Sequence, residues 1–144
     1  MIKKIDPLAH VLENKKMYLG RDDVEPDILA SFIIDDALVL GAQTVFTKRH
    51  KEWWFIGSDF DWLSKGHDKE ILYLFSNIVP LENGSLNAVR REILLMAFAK
   101  NVMTWRKGEP SSDLIKGEFS GDISDLFSKE ISCLNIKRFI GFSF

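Results

Sequence analysis

DILASFIIDDALVLGAQTVFTKRHKEWWFIGSDFDWL, residues 27–63, is the stretch whose reading decides the fold. Its first half has helical periodicity. Leu29, Phe32, Ile33, Ala37 and Leu40 recur at three- and four-residue spacing and mark one apolar face. Pro26 suits a first helical turn, where its missing N–H costs nothing, and Asp27 suits the positive end of the helix dipole. Gly41 is placed to end the helix, because a C-terminal cap often needs positive φ. The second half changes period. Thr44-Val45-Phe46-Thr47 and Trp53-Trp54-Phe55-Ile56 are β-branched and aromatic runs, with Lys48-Arg49-His50-Lys51 as a solvated turn between them. The hairpin runs into an acidic, aromatic corner, Ser58-Asp59-Phe60-Asp61-Trp62.

Working outward, Asp6-Pro7 marks a helix start with Leu8, Val11 and Leu12 as its buried face. Met17-Tyr18-Leu19-Gly20 reads as a turn into the acidic loop Asp22-Asp23-Val24-Glu25, with Met17-Tyr18 as core packing. On the other side, Asp68 is placed to cap a helix through Val79, which Pro80 stops. Glu82-Asn83-Gly84 is a turn. Ser85 is placed to cap a longer helix to about Lys100, with Val89, Ile93 and Met96 inward. Val102–Arg106 and Leu114–Phe119 read as strands around Lys107-Gly108-Glu109-Pro110, and Asp122–Lys129 as a short helix or loop. From Leu134 to Phe144 apolar residues alternate with others at period two, a strand. Helices mixed with hairpin-connected strands predict an α+β fold. Its form is a two-layer α/β sandwich, a mostly antiparallel sheet of about five strands with helices on one face. Leu29, Phe32, Ile33, Val89, Ile93 and Met96 are expected between the layers.

The chain has 144 residues, enough for one domain with a core, and the whole of 1–144 reads as a single domain. Apolar residues are 46% and charged residues 28%, a globular balance. A net charge of −2 gives no general attraction to nucleic acid. Apolar runs are too short for a membrane span, and the N-terminal lysines precede no apolar core of a signal peptide. Cys133 is alone, which excludes an intramolecular disulfide and a cysteine metal cluster and fits a reducing cytoplasm.

Three stretches resemble the ATP-binding domain of type II topoisomerase B subunits, within the GHKL ATPases. Val11 to Met17-Tyr18-Leu19-Gly20 has the spacing of the gyrase segment that reads V, five residues, then M-Y-I-G. Asp35-Asp36-Ala37-Leu38-Val39-Leu40-Gly41 is similar to the D-E-A-L-A-G end of the family helix, with one extra residue. The hairpin ending Ser58-Asp59-Phe60-Asp61 falls where the family has D-x-G-x-G. Asn87 to Trp105 looks like the later helix-and-strand pair. The departures bear on activity. Phe32 or Ile33 stands where the family's Mg²⁺-holding Asn is, and neither can ligate a hard cation. Phe60, Asp61, Trp62 and Leu63 replace the glycines that let backbone approach the ligand. Gly84-Ser85-Leu86-Asn87 offers one glycine in place of a glycine-rich phosphate cradle. The resemblance therefore implies a GHKL-like fold that has lost ATP chemistry, with Asp59 at the place of the adenine-reading Asp.

No other catalytic set emerges. His10, His50 and His67 lack metal-ligand spacing. Cys133 reads as a buried inert thiol, Asp59 and Asp61 as solvated carboxylates at a strand end, and Lys48-Arg49-His50-Lys51 as a solvated turn. Interaction remains. Asp22, Asp23, Glu25, Asp27, Asp35 and Asp36 cluster in sequence, and Asp59 and Asp61 add two acids beside Trp53, Trp54 and Trp62. Clustered acids steer a basic partner, and tryptophan is a favoured interface anchor. The expected partner-binding set is Asp22, Asp23, Glu25, Asp59, Asp61 and Trp62. The expected function is a non-enzymatic protein-binding module, without cofactor or metal, that masks a basic partner as immunity proteins and antitoxins mask toxins. A divergent nucleotide-binding domain is the alternative. Nucleic acid and membrane are not expected partners, and a monomer is expected, because the long N-terminal arm that ties gyrase-type domains into dimers is missing.

Overall fold

The computed structural model describes residues 6–65, 69–84, 88–109, 112–118 and 135–144. Among them are five helices: α1 (Pro7–Glu13), α2 (Lys15–Leu19), α3 (Pro26–Leu40), α4 (Ile71–Ser76) and α5 (Glu92–Phe98). The strands are β1 (Val45–His50), β2 (Trp53–Ser58), β3 (Asn101–Arg106), β4 (Asp113–Lys116) and β5 (Arg138–Ser143). The strands form one antiparallel sheet in the order β1-β2-β5-β3-β4. The expected α+β sandwich is present.

The central strand explains the layering. Ile56, Ile140 and Thr104 share a row across the sheet, as do Trp54, Phe142 and Val102. Side chains alternate along each strand, so these rows face the same side. There Ile56, Ile140, Phe142 and Val102 join Leu29, Ile33, Ala37 and Leu40 of α3 and Ile93, Leu94 and Leu95 of α5 in one buried cluster. Phe32 and Met96 pack against it only partly buried, and Val89 is also half-buried. The opposite face is apolar too. Trp53, Phe55, Met103, Ile136 and Phe139 form a second buried cluster, with Phe46 and Trp105 against it. Gly57 packs closely on that side: a Cβ there would lie 3.0 Å from Ile136 Cδ1, so Ile136 would have to shift by a few tenths of an ångström.

Helix α3 follows its sequence signals. Pro26 sits in its first turn, and Gly41 ends it at φ +125°, a conformation that L side chains rarely adopt. Asp6 caps α1 by accepting from the Leu8 N–H at 3.1 Å, a contact of about 1 kcal/mol.

Several expectations are corrected. Met17-Tyr18-Leu19 is helical, and the chain turns only at Gly20, φ +76°. Met17 is 63% exposed and Leu12 47%; neither is core. Lys48, Arg49 and His50 belong to β1, leaving Lys51-Glu52 as the turn, with Lys51 at φ +56°. The strand extends because Arg49 pairs with Trp54 across the ladder and lays its guanidinium over the indole, 4.9 Å from the ring centre. The helix expected from Asp68 to Val79 ends at Ser76, and the one expected from Ser85 begins at Glu92. Both are short for one reason. Arg90 N–H donates to the Val79 carbonyl at 2.7 Å and Leu81 N–H to that of Ala88 at 3.0 Å. This β-bridge engages backbone groups that longer helices would need. The Asp122–Lys129 segment, Cys133, His67 and the Asp68 cap lie outside the described residues.

Candidate functional site

The six residues expected to form one partner surface divide into two sets. Asp22, Asp23 and Glu25 are exposed in the loop that enters α3. Arg21 donates to Asp23 at 3.1 Å and lies 3.6 Å from Glu25, so one guanidinium serves two carboxylates. Exposed pairs of this kind contribute about 0–1 kcal/mol. Asp22 has no ion-pair partner among the described residues. It lines a shallow groove of about 380 Å³ together with Leu12, Met17, Glu13 and two cations, Lys15 and Lys16.

Asp59 and Asp61 lie beyond the other end of α3. Asp59 Oδ1 accepts from the backbone N–H groups of Gln43 at 3.3 Å and Thr44 at 3.1 Å, which ties the link after α3 to the end of β2. Asp61 accepts two hydrogen bonds from Arg138, at 2.7 and 3.1 Å, and a third from the Ser64 hydroxyl at 2.8 Å. A helix of 15 residues separates the two sets by about 20 Å along its axis. They do not make one acidic patch.

Trp62 is a clear correction. It is 0% exposed, within the main core cluster, and its carbonyl accepts from Arg90 at 3.1 Å. A short 3-10 turn, Trp62–Ser64, folds the corner inward and takes the indole with it. It cannot anchor a partner. Nor are Asp59 and Asp61 free surface charges, since each holds protein groups.

Burial by itself pushes the Asp61 carboxyl up, but the hydrogen bonds and charge of Arg138, with Ser64, outweigh it and hold the pKa below the usual value. A carboxyl lowered in the folded state contributes stability above its unfolded value of about 4, lost as pH falls through the folded value. Asp61→Asn is therefore expected to cost about 2 kcal/mol at neutral pH. Urea unfolding at a series of pH values should show that difference shrinking in acid. A difference independent of pH would refute the assignment.

A second polar system was not anticipated. Asp36 is fully buried and accepts from the Arg91 backbone N–H at 2.8 Å and from its Nε and a terminal nitrogen at 2.9 and 2.7 Å. Arg91 also covers the Phe32 ring at 4.5 Å. Beside it, Arg90 and Glu92 form a pair with 1% and 0% side-chain exposure. Arg90 donates further to the carbonyls of Lys65 and Trp62. Burial pushes the Asp36 carboxyl up, and the charge of Glu92 adds to this, against the hydrogen bonds from Arg91. One signal in the sequence marked this system: Asp36 sits within the apolar stripe of α3, between Ile33, Ala37 and Leu40.

The two histidines among the described residues do not converge. His10 Nδ1 meets the Tyr18 hydroxyl at 2.7 Å between α1 and α2, while His50 ends β1. Among the described residues no group of three or more His, Cys, Asp or Glu side chains is arranged to hold a metal. Among them, too, no helix is long and apolar enough to cross a membrane. No protein-family model, curated protein or solved structure matches the chain.

Proposed function

We propose that the chain is a non-catalytic protein-binding module that covers a basic partner, of immunity or antitoxin type. The observation that carries this reading is the joint exposure of Leu12 and Met17 beside the acidic loop of Asp22, Asp23 and Glu25, in which Asp22 has no ion-pair partner among the described residues. Lys15 and Lys16 also line the groove, so the acidic charge lies in the loop. A large apolar side chain beside an unpaired charge is the composition of an interface. The apolar group contributes desolvation and the charge contributes register and on-rate. Asp23 and Glu25 extend the charge, with a single arginine between them.

The contacts around Phe32, Asp59 and Asp61 also support a reading without nucleotide. Arg91 covers Phe32, Asp59 is engaged by backbone amides, and Asp61 is engaged by Arg138. The residues that stand at these GHKL-type positions are engaged with the protein itself.

The test has two stages. A partner retained by the tagged chain from its native host is identified by mass spectrometry, and its affinity is measured by calorimetry. Reversing Asp22 and Asp23 to Lys is then expected to weaken binding by roughly 2 kcal/mol and slow association, most visibly at low salt. The melting temperature should move little. Unchanged affinity in the double reversal counts against the reading. A sub-100 µM affinity for ATP and Mg²⁺, an order-of-magnitude limit for a useful site, favours the nucleotide-binding alternative.

A further inference from the structure

Asn83-Gly84 lies in the loop that the Pro80–Val89 bridge encloses. Asn83 is exposed at φ +65°, a conformation that asparagine tolerates better than most residues. Gly84 N–H donates to the Leu81 carbonyl at 3.1 Å and closes a four-residue turn. A Cβ on Gly84 would lie 2.9 Å from Leu81 Cδ2 and 3.1 Å from the Leu81 carbonyl oxygen, so a larger residue displaces Leu81. Packing therefore holds a glycine directly after an exposed asparagine. Of the six asparagines in the sequence, Asn83 alone precedes glycine. Three others hold their carboxamides in place. Asn14 donates to the His10 carbonyl at 2.8 Å, Asn77 to that of Tyr73 at 3.1 Å, and Asn101 to the Ser143 hydroxyl at 2.8 Å. Among the described residues, the Asn83 carboxamide has no hydrogen-bond partner.

We propose that Asn83 is a site of spontaneous deamidation, converted to aspartate and isoaspartate through a succinimide formed with Gly84. The Gly84 backbone nitrogen attacks Asn83 Cγ, and glycine offers no side chain to block that approach. A bond forms between this nitrogen and Cγ. The bond from Cγ to Nδ2 breaks, and ammonia leaves with the proton that the Gly84 amide gives up. Water then opens the ring at either carbonyl. Attack at Cγ yields aspartate, and attack at the main-chain carbonyl yields isoaspartate. Water is the sole co-reactant, and nothing is oxidised or reduced. The product carries a new negative charge beside Leu81 and Gly84, which line a groove of about 600 Å³ with Tyr18, Val39 and Arg91. Isoaspartate also lengthens the backbone by one carbon, in a turn where Gly84 is already packed on Leu81. The charge and shape of this face therefore change as the protein ages.

The test follows the full chain and a synthetic peptide of residues 81–86 over time, at neutral and mildly alkaline pH, by peptide mass spectrometry. The expected result is that Asn83 exchanges ammonia for water roughly tenfold or more ahead of Asn14, Asn77 and Asn101, whose side chains must each break a hydrogen bond before reacting. Isoaspartate and aspartate should both appear, and the rate should rise with pH, because the attacking nitrogen must shed its proton. The folded chain should lag the peptide by no more than roughly tenfold, the worth of the single hydrogen bond from Gly84 to Leu81. Asn83→Gln should remove the acidic form seen on isoelectric focusing, since glutamine must close a larger, slower-forming ring. Conversion at Asn83 no faster than at Asn14, Asn77 and Asn101 would overturn the proposal. So would a folded chain that stays intact while the peptide reacts, since the turn would then protect the site. An acidic form that persists in Asn83→Gln would place the modification elsewhere and overturn it too.

Discussion

Glu92→Ala is expected to be among the most damaging single substitutions in this protein, at about 3–5 kcal/mol. The Arg90–Glu92 pair is sealed from solvent, with the two carboxylate oxygens 3.3 and 2.9 Å from the guanidinium. Removing the carboxylate strands a cation in the core, where the desolvation penalty has no offset. Asp36 and Arg91 lie alongside but are already paired with each other, so neither is free to compensate. Domains of this size are stable by about 5–15 kcal/mol, and the loss is a large share of that. Replacing both partners by apolar residues, as Arg90→Met with Glu92→Leu, should recover only part of it. Arg90 also donates to the carbonyls of Trp62 and Lys65, and the double variant leaves those acceptors unsatisfied. Urea denaturation of the single and double variants measures both quantities. A Glu92→Ala protein within about 1 kcal/mol of the parent would show that water reaches this pair.

Trp62→Ala is the second large effect, again about 3–5 kcal/mol. The indole is the largest fully buried side chain and belongs to the cluster joining the helices to the sheet. Truncation leaves a void beside α3 and α4, which pack on the 3-10 turn that carries it, and such voids collapse only partly. Thermal unfolding should register a large fall. At the surface groove, Met17→Ser should leave the melting temperature nearly unchanged. The contrast separates core from interface: a small effect at Trp62 would mean that the corner after β2 opens in solution.

The sheet and α3 were legible because periodicity reports burial directly. The three- and four-residue spacing of Leu29, Ile33, Ala37 and Leu40 places one face inward, whereas the alternation of Arg138, Ile140 and Phe142 marked a strand that is buried on both faces, with Phe139 in the second cluster. Boundaries failed where a tertiary contact outcompeted local preference. Backbone pairing of Val79 and Leu81 with Arg90 and Ala88 shortened two helices, and nothing in either segment announces a backbone partner in the other. The candidate surface was half legible. Asp22, Asp23 and Glu25 are exposed, as clustered acids in a loop should be. Trp62, Asp59 and Asp61 carry the same composition but are drawn into the structure by Arg90, the amides of Gln43 and Thr44, and Arg138. Exposed Met17 was missed because methionine in an apolar run reads as core. Exposure of one side of a short helix depends on packing that a sequence does not display.

The position of β5 between β2 and β3 has a consequence for the order of folding. The β1–β2 and β3–β4 hairpins are local and can form early, but among the described strands only β5 joins them. Until it arrives, β2 and β3 each present an unpaired inner edge, with Trp53, Phe55 and Met103 beside it. Such edges template pairing with other chains. Closing the gap requires residues near 57 to meet residues near 139, a contact of high sequence separation that slows the final step. Aggregation during synthesis should therefore depend on how soon this strand is available. It depends far less on charged groups at the rim, which contribute little to closing the sheet.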